Sequence, residues 1–225
     1  MAAITGSRTE ITIEEEAYPE LLQRVADAPR TLYVAGDASA LSLPMVAIAG
    51  ARKATPYGIA CASRFAAIAA GRGACIVTGG ALGVATAAME AALDAGGTCV
   101  AVLAQGLDVD AYPAANANLF RRIVEGGGAI ASEQPWGKPP LPWMFRTRNR
   151  IVTGLASCLL VCEAGLPSGT FSAADGALAQ GRPVFAVPGR IDEPQSLGCN
   201  LLIASGAAPV VSEAAFEDML MKVGL

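Results

Sequence analysis

Apolar residues in this chain fall in short, nearly unbroken runs instead of alternating with polar ones. The runs are Thr31–Ala35, Met45–Ala49, Ala74–Thr78, Thr98–Ala104, Ala129–Ser132, Ser157–Cys162, Pro183–Val187 and Pro209–Val211. Each has the length of a strand, and a strand with no polar face has both faces covered, as in a parallel sheet. Between the runs the period becomes helical, over Tyr57–Gly71, Val84–Ala95, Asn116–Glu125, Thr170–Gln180, Leu197–Ser205 and Glu213–Val223. This alternation predicts an α/β fold, a doubly wound and mostly parallel sheet with Rossmann-like topology.

Two segments break the rhythm. Residues 1–44 are more charged, contain the run Glu14-Glu15-Glu16 and end on the turn-like Ser42-Leu43-Pro44. They read as a short N-terminal extension packed on a core domain of residues 45–225. Glu133–Met144 carries four prolines, which forbid a helix interior or a central strand. A loop of that length in a compact domain is usually functional or mobile.

Composition narrows the function classes. Of 225 residues, 53% are hydrophobic and 16% charged, which excludes disorder as the main state. The mean hydropathy of +0.44 comes from alanine. The run Ala74–Met89 is broken by Thr and Gly and is too short to span a bilayer. A net charge of −4 excludes a broad basic field for nucleic acid, so any such site must be a local pocket. Histidine is absent, which removes His-based triads and His zinc sites. None of the six cysteines forms a C-x-x-C pair. They read as reduced core residues, and no metal site or cofactor is expected. Met1–Arg8 lacks the apolar stretch of a secretory signal, so the expected location is cytoplasmic, with no membrane partner.

Three strand-to-helix loops and one basic stretch carry the candidate chemistry. The first loop, Ala49–Gly58, holds Gly50, Arg52 and Lys53. Glycine lets backbone approach a ligand, a helix N-terminus favours an anion, and the Arg fork suits phosphate. The spacing is neither that of a dinucleotide fingerprint nor that of a P-loop. The second loop, Thr78–Gly83, has Gly79, Gly80 and Gly83 but no charge, and fits support of a nucleotide site or tight packing alike. The third runs from Glu163 to Ser168, Gly169 and Thr170. Its hydroxyls can cap a helix or hold an anion. Glu163 lies at a strand's carboxyl end, where it can fix loops or act as a base. The basic stretch is Phe145, Arg146, Arg148, Asn149 and Arg150, beside Trp143 and Trp136. Arginine forks bind phosphates and aromatic faces stack bases. The three arginines cannot all face one way, so some can pair with internal carboxylates instead. Gathered at one sheet edge, these elements predict a pocket for a phosphate-containing ligand. They do not choose among mononucleotide, dinucleotide and single strand.

In order along the chain stand Tyr18-Pro19-Glu20-Leu21-Leu22, Leu32–Gly36, Val46–Arg52 and Tyr112-Pro113-Ala114-Ala115-Asn116. There follow Arg148-Asn149-Arg150-Ile151-Val152-Thr153-Gly154-Leu155, Glu163-Ala164, Ser168-Gly169-Thr170, Gln180-Gly181-Arg182, Val187-Pro188-Gly189 and Gly198–Ile203. Taken together, this set resembles the DNA-processing protein A family, also called DprA or Smf. The resemblance implies a Rossmann-like core that binds single-stranded DNA and loads a RecA-type recombinase in DNA uptake and recombination. It implies a homodimer and no enzymatic chemistry. By position, Gly50, Arg52, Lys53, Phe145, Arg146, Arg148, Asn149, Arg150, Ser168, Gly169 and Thr170 would line the DNA site. The family usually places a basic residue, an Asp and a His where this chain has Leu82, Ala85 and Met89, and a basic residue where it has Asp175. One phosphate contact fewer is therefore expected. Two other readings stand beside this one. The first is a nucleotide sensor or phosphoribohydrolase-like protein with Glu163 as acid–base group. The second is a divergent paralogue that serves as a protein-interaction scaffold.

Overall fold

The computed structural model describes residues 4–225; residues 1–3, part of the stretch read for a leader, lie outside them. Among the described residues nine strands form one sheet: β1 (Arg8–Thr12), β2 (Thr31–Gly36), β3 (Met45–Ala49), β4 (Cys75–Thr78), β5 (Cys99–Val102), β6 (Ala129–Ser132), β7 (Cys158–Val161), β8 (Val184–Ala186) and β9 (Ala208–Pro209). The helices are α1 (Glu20–Gln23), α2 (Pro56–Gly71), α3 (Val84–Asp94), α4 (Ala117–Glu125), α5 (Met144–Thr147), α6 (Asn149–Leu155), α7 (Thr170–Ala179), α8 (Leu197–Ala204) and α9 (Glu213–Lys222).

The strand order is β1-β2-β6-β5-β4-β3-β7-β8-β9; β2 pairs antiparallel with both of its neighbours, β1 and β6, and every other pair is parallel. From β5 to β9 this is the doubly wound Rossmann order, extended by β6, β2 and β1. The order reverses between β3 and β7, which creates a crevice above their carboxyl ends.

The unbroken apolar runs have a direct cause. Val46 and Ile48 point into one core with Phe65, Phe120 and Phe216, while Met45 and Ala47 point into the other with Leu22, Ile151 and Ala174. Every residue of β4, β5, β6 and β7 is thus buried, whichever way it faces, as are Met45–Ile48 of β3. Small residues (Ala62, Ala66, Ala69, Ala88 and Ala92) line α2 and α3 in the first core, which accounts for the alanine-driven hydropathy. Five cysteines are buried and Cys61 is half-buried; none is in a disulfide. Burial pushes the Cys158 and Cys199 thiols up to about 12. No helix among the described residues is long and apolar enough to cross a membrane.

Residues 1–44, expected as an extension packed on the core, supply β1 and β2 to the same sheet. The basic stretch Phe145–Arg150 folds into α5 and the first turn of α6. Its helical register decides which arginine reaches the sheet edge.

Candidate anion and base pocket

The site forms where the carboxyl ends of β3, β4 and β5 meet the start of α5–α6. Its walls are Arg52, Gly79, Ala81, Leu82, Leu103, Ala104, Tyr112, Pro113, Phe145 and Arg148. A wider, shallow depression lies at the opposite, amino edge, lined by Ser7, Thr9, Gly36, Asp37, Ala38 and Val124. Its ionisable group, Asp37, already accepts the Ser39 N–H and hydroxyl. It therefore offers no cation to a phosphate.

Arg148 forms the floor. Met144 and Arg148 stand one turn apart on the inward face of the helical segment, and both are buried. Arg148 Nη1 donates to the Val102 carbonyl, its Nε is buried without a partner, and among the described residues it pairs with no carboxylate. Burial first, and the neighbouring Arg52 second, pull its pKa down to about 9, so it is still a cation at neutral pH. A buried cation without a counter-ion is costly. The guanidinium has space because the next wall is glycine: a Cβ on Gly79 would lie 2.1 Å from Arg148 Nη1.

The rim is aromatic and basic. The Arg52 guanidinium carbon lies 5.3 Å from the Phe145 ring centroid, within cation–π range. Tyr112, half exposed, meets Phe145 edge-on with centroids 5.4 Å apart. The mouth thus presents an arginine and two rings above a second arginine.

Behind the mouth, the loops are braced against one another. The Glu163 carboxylate accepts the Thr55 N–H at 2.8 Å and the Thr55 hydroxyl, and the Glu163 carbonyl accepts the Ala51 N–H at 2.8 Å. A Cβ on Gly58 would lie 2.6 Å from Glu163 Oε2, and one on Gly50 would lie 2.8 Å from the Glu163 carbonyl. Glu163 is buried and holds the Arg52 loop in place. Replacing it with Gln turns one acceptor oxygen into a donor that faces Thr55. The expected cost is about 1–3 kcal/mol, measured as a lower Tm of the Glu163→Gln variant. Asn116 does similar work for the second loop: its amide donates to the Gly80 carbonyl at 3.0 Å, and Thr86 Oγ1 donates to its Oδ1 at 3.1 Å.

The expected site residues therefore separate. Arg52, Phe145, Arg148 and Gly79 meet in one pocket, with Lys53 and Arg146 exposed outside it. Gly50, Gly80, Gly83 and Glu163 stand behind it as scaffold. Asn149, Ser168, Gly169 and Thr170 form a separate group at the start of α7, where Asn149 Nδ2 donates to Ser172 Oγ at 2.7 Å and Ser168 Oγ accepts the Thr170 N–H at 3.1 Å. Arg150 turns to the far side of its helix. It holds both Glu133 oxygens, at 2.9 and 2.6 Å, and Asp27 Oδ2 at 2.9 Å. It thereby ties the N-terminal segment and the base of the proline-rich loop to α6. Of the departures from the family pattern, Leu82 lines the pocket, Ala85 and Met89 are buried in α3, and Asp175 is exposed on α7 outside the lining. Sequence reasoning does not single out Tyr112 and Asn116 as site residues; the signal available for them is the motif Tyr112-Pro113-Ala114-Ala115-Asn116.

The family model "DNA recombination-mediator protein A" matches residues 9–223. Protein Smf of Escherichia coli strain K12 is 41% identical over 197 residues, 88% of this chain and 52% of that protein. The structure of DNA processing protein A from Streptococcus pneumoniae superposes with a TM-score of 0.86 at 36% identity, covering 94% of this chain and 74% of that one. A Helicobacter pylori DNA processing protein A, solved for its single-stranded DNA binding mode, gives a TM-score of 0.86 at 31% identity, covering 98% of this chain and 99% of that one. The chain spans about half the length of the first curated relatives it matches, 52% and 44% of theirs.

Proposed function

This chain belongs to the DNA recombination-mediator protein A family, and from that premise we propose that it binds single-stranded DNA in the Arg148 pocket as a recombination mediator. One observation carries the reading: a buried arginine with no counter-ion among the described residues lies beneath a second arginine and two aromatic rings. A phosphate supplies the missing negative charge, and charge-assisted hydrogen bonds to Arg are short and strong. The Phe145 and Tyr112 rings offer faces to unstacked bases, which a duplex keeps stacked. The cations are local within an acidic chain of net charge −4, which disfavours binding to duplex backbone over a broad surface.

The family description, a DNA recombination mediator, supports a role in recombination, and the resemblance points to a RecA-type recombinase as the partner that follows the chain onto the strand and to uptake of transforming DNA. The resemblance also supports a homodimer that works in the cytoplasm. We assign no reaction to the protein. The pocket offers guanidinium and aromatic groups, and Glu163, the acid–base candidate of the nucleotide-hydrolase reading, is committed to Thr55.

The test is fluorescence anisotropy of a labelled single strand at two salt concentrations, against a duplex and with a nucleoside monophosphate as competitor. The reading predicts strand-selective binding that weakens with salt and resists the monophosphate. Equal binding of duplex would contradict it, and displacement at low monophosphate concentration would turn the assignment toward a nucleotide sensor.

A further inference from the structure

The outer surface of α5 is not used by the pocket. Successive residues of a helix are about 100° apart, so the buried Met144 and Arg148 fix the inward direction. Going round the helix from the pocket side, Phe145 comes first, then Arg146 on the solvent face, then Trp143 on the opposite flank. Trp143 starts this turn in helical conformation, and its carbonyl accepts the Arg146 N–H at 3.2 Å and the Thr147 N–H at 3.3 Å. Trp143 is 56% exposed. Arg146 is exposed too, and among the described residues it pairs with no carboxylate.

The chain's other tryptophan shows what a structurally engaged indole looks like here. Trp136 Nε1 donates to Glu10 Oε1 at 2.6 Å, its ring meets Tyr33 edge-on at 5.3 Å, and Arg8 lies over it at 5.5 Å. Among the described residues Trp143 has none of these partners, and it stands exposed beside a cation that pairs with none of their carboxylates. The order ring, cation, ring around one short helix, continuous with the pocket wall, is the arrangement that tracks a single strand: bases stack on the rings and a phosphate lies between them.

We infer that Trp143 is a second base platform, and that a single strand leaving the pocket at Phe145 crosses Arg146 and stacks on Trp143. This rests on the reading of the pocket as a single-strand site, and it adds a subsite that short oligonucleotides do not reach.

The experiment uses the full chain with Trp136→Phe, which leaves Trp143 as the sole indole reporter, and binding is followed in parallel by anisotropy of a labelled oligothymidine. A strand of about twenty nucleotides should quench Trp143 emission as it saturates the protein. Trp143→Ala should weaken that strand about tenfold, leave one of about five nucleotides unchanged, and be rescued by Trp143→Tyr. Unchanged emission on saturation, with wild-type affinity of Trp143→Ala for the long strand, overturns the subsite while the pocket reading stands. No binding of either strand by the wild type overturns the pocket reading and the subsite with it.

Discussion

Arg148→Met should lower affinity for single-stranded DNA about a hundredfold and leave Tm unchanged or higher. The two effects share one cause. In the free protein the Arg148 cation is buried against Val102 and Gly79, and among the described residues its Nε is unpaired and no carboxylate lies beside it. Such a group is held at a cost to stability. Methionine fills similar space without the charge, and the Val102 carbonyl loses only one donor, worth about 1 kcal/mol. Truncating one partner of a buried, hydrogen-bonded charge pair costs a complex about 2–5 kcal/mol, and a factor of a hundred, about 2.7 kcal/mol, lies in the lower part of that range. The checks are an anisotropy titration and a thermal melt on the same preparation. A clear fall in Tm with affinity retained would mean that Arg148 is a structural group and not the phosphate receptor.

Gly83→Ala should destabilise the protein by about 3 kcal/mol, lower Tm by about 6–12 °C and weaken DNA binding as well. Gly83 precedes α3 at φ +77° and ψ −123°, a conformation that side chains resist. A Cβ there would also lie 2.3 Å from the Ala51 carbonyl oxygen and 2.6 Å from that of Arg52. Both are backbone atoms and cannot swing aside. The same Ala51 carbonyl accepts the Val84 N–H at 3.1 Å, so the two loops are joined at this point. Pushing them apart displaces Arg52 from Phe145. A melt at or above the wild-type Tm, with full affinity, would show that the loops adjust freely and that their fixed spacing is not what builds the pocket.

These expectations depend on details that the sequence carried unevenly. The central strands were legible because burial on both faces removes polar residues from the run, as at Met45–Ala49. β1 was not, because it lies at the sheet edge: of Arg8–Thr12 only Ile11 is fully buried, so its charged composition reads as an appendage. The helices after the proline-rich segment were obscured for a related reason. Arg148 occupies a core-facing position, and an arginine there looks like a polar break in the apolar period. The residue types of the site were readable, but their assignment was not. Arg148 and Arg150 are chemically identical and two positions apart, which turns them about 200° from each other on a helix. One enters the pocket and the other holds Glu133 and Asp27. No local pattern distinguishes them; the partners come from residues distant in sequence. Likewise, Glu163 at a strand's carboxyl end fitted a base or a loop brace equally well until Thr55 was seen to occupy its carboxylate.

The most direct test of the claim that a buried arginine receives a backbone phosphate is the salt dependence of binding. The logarithm of the single-strand association constant is plotted against the logarithm of salt concentration for the wild type and for Arg148→Met, with residual binding measured at low salt. Each phosphate neutralised on a single strand contributes about 0.7 to the slope, so the variant's line should be shallower by about that amount. Parallel lines for the two proteins would contradict the account, because they would mean that removing Arg148 releases no counter-ion and that its charge never met a phosphate.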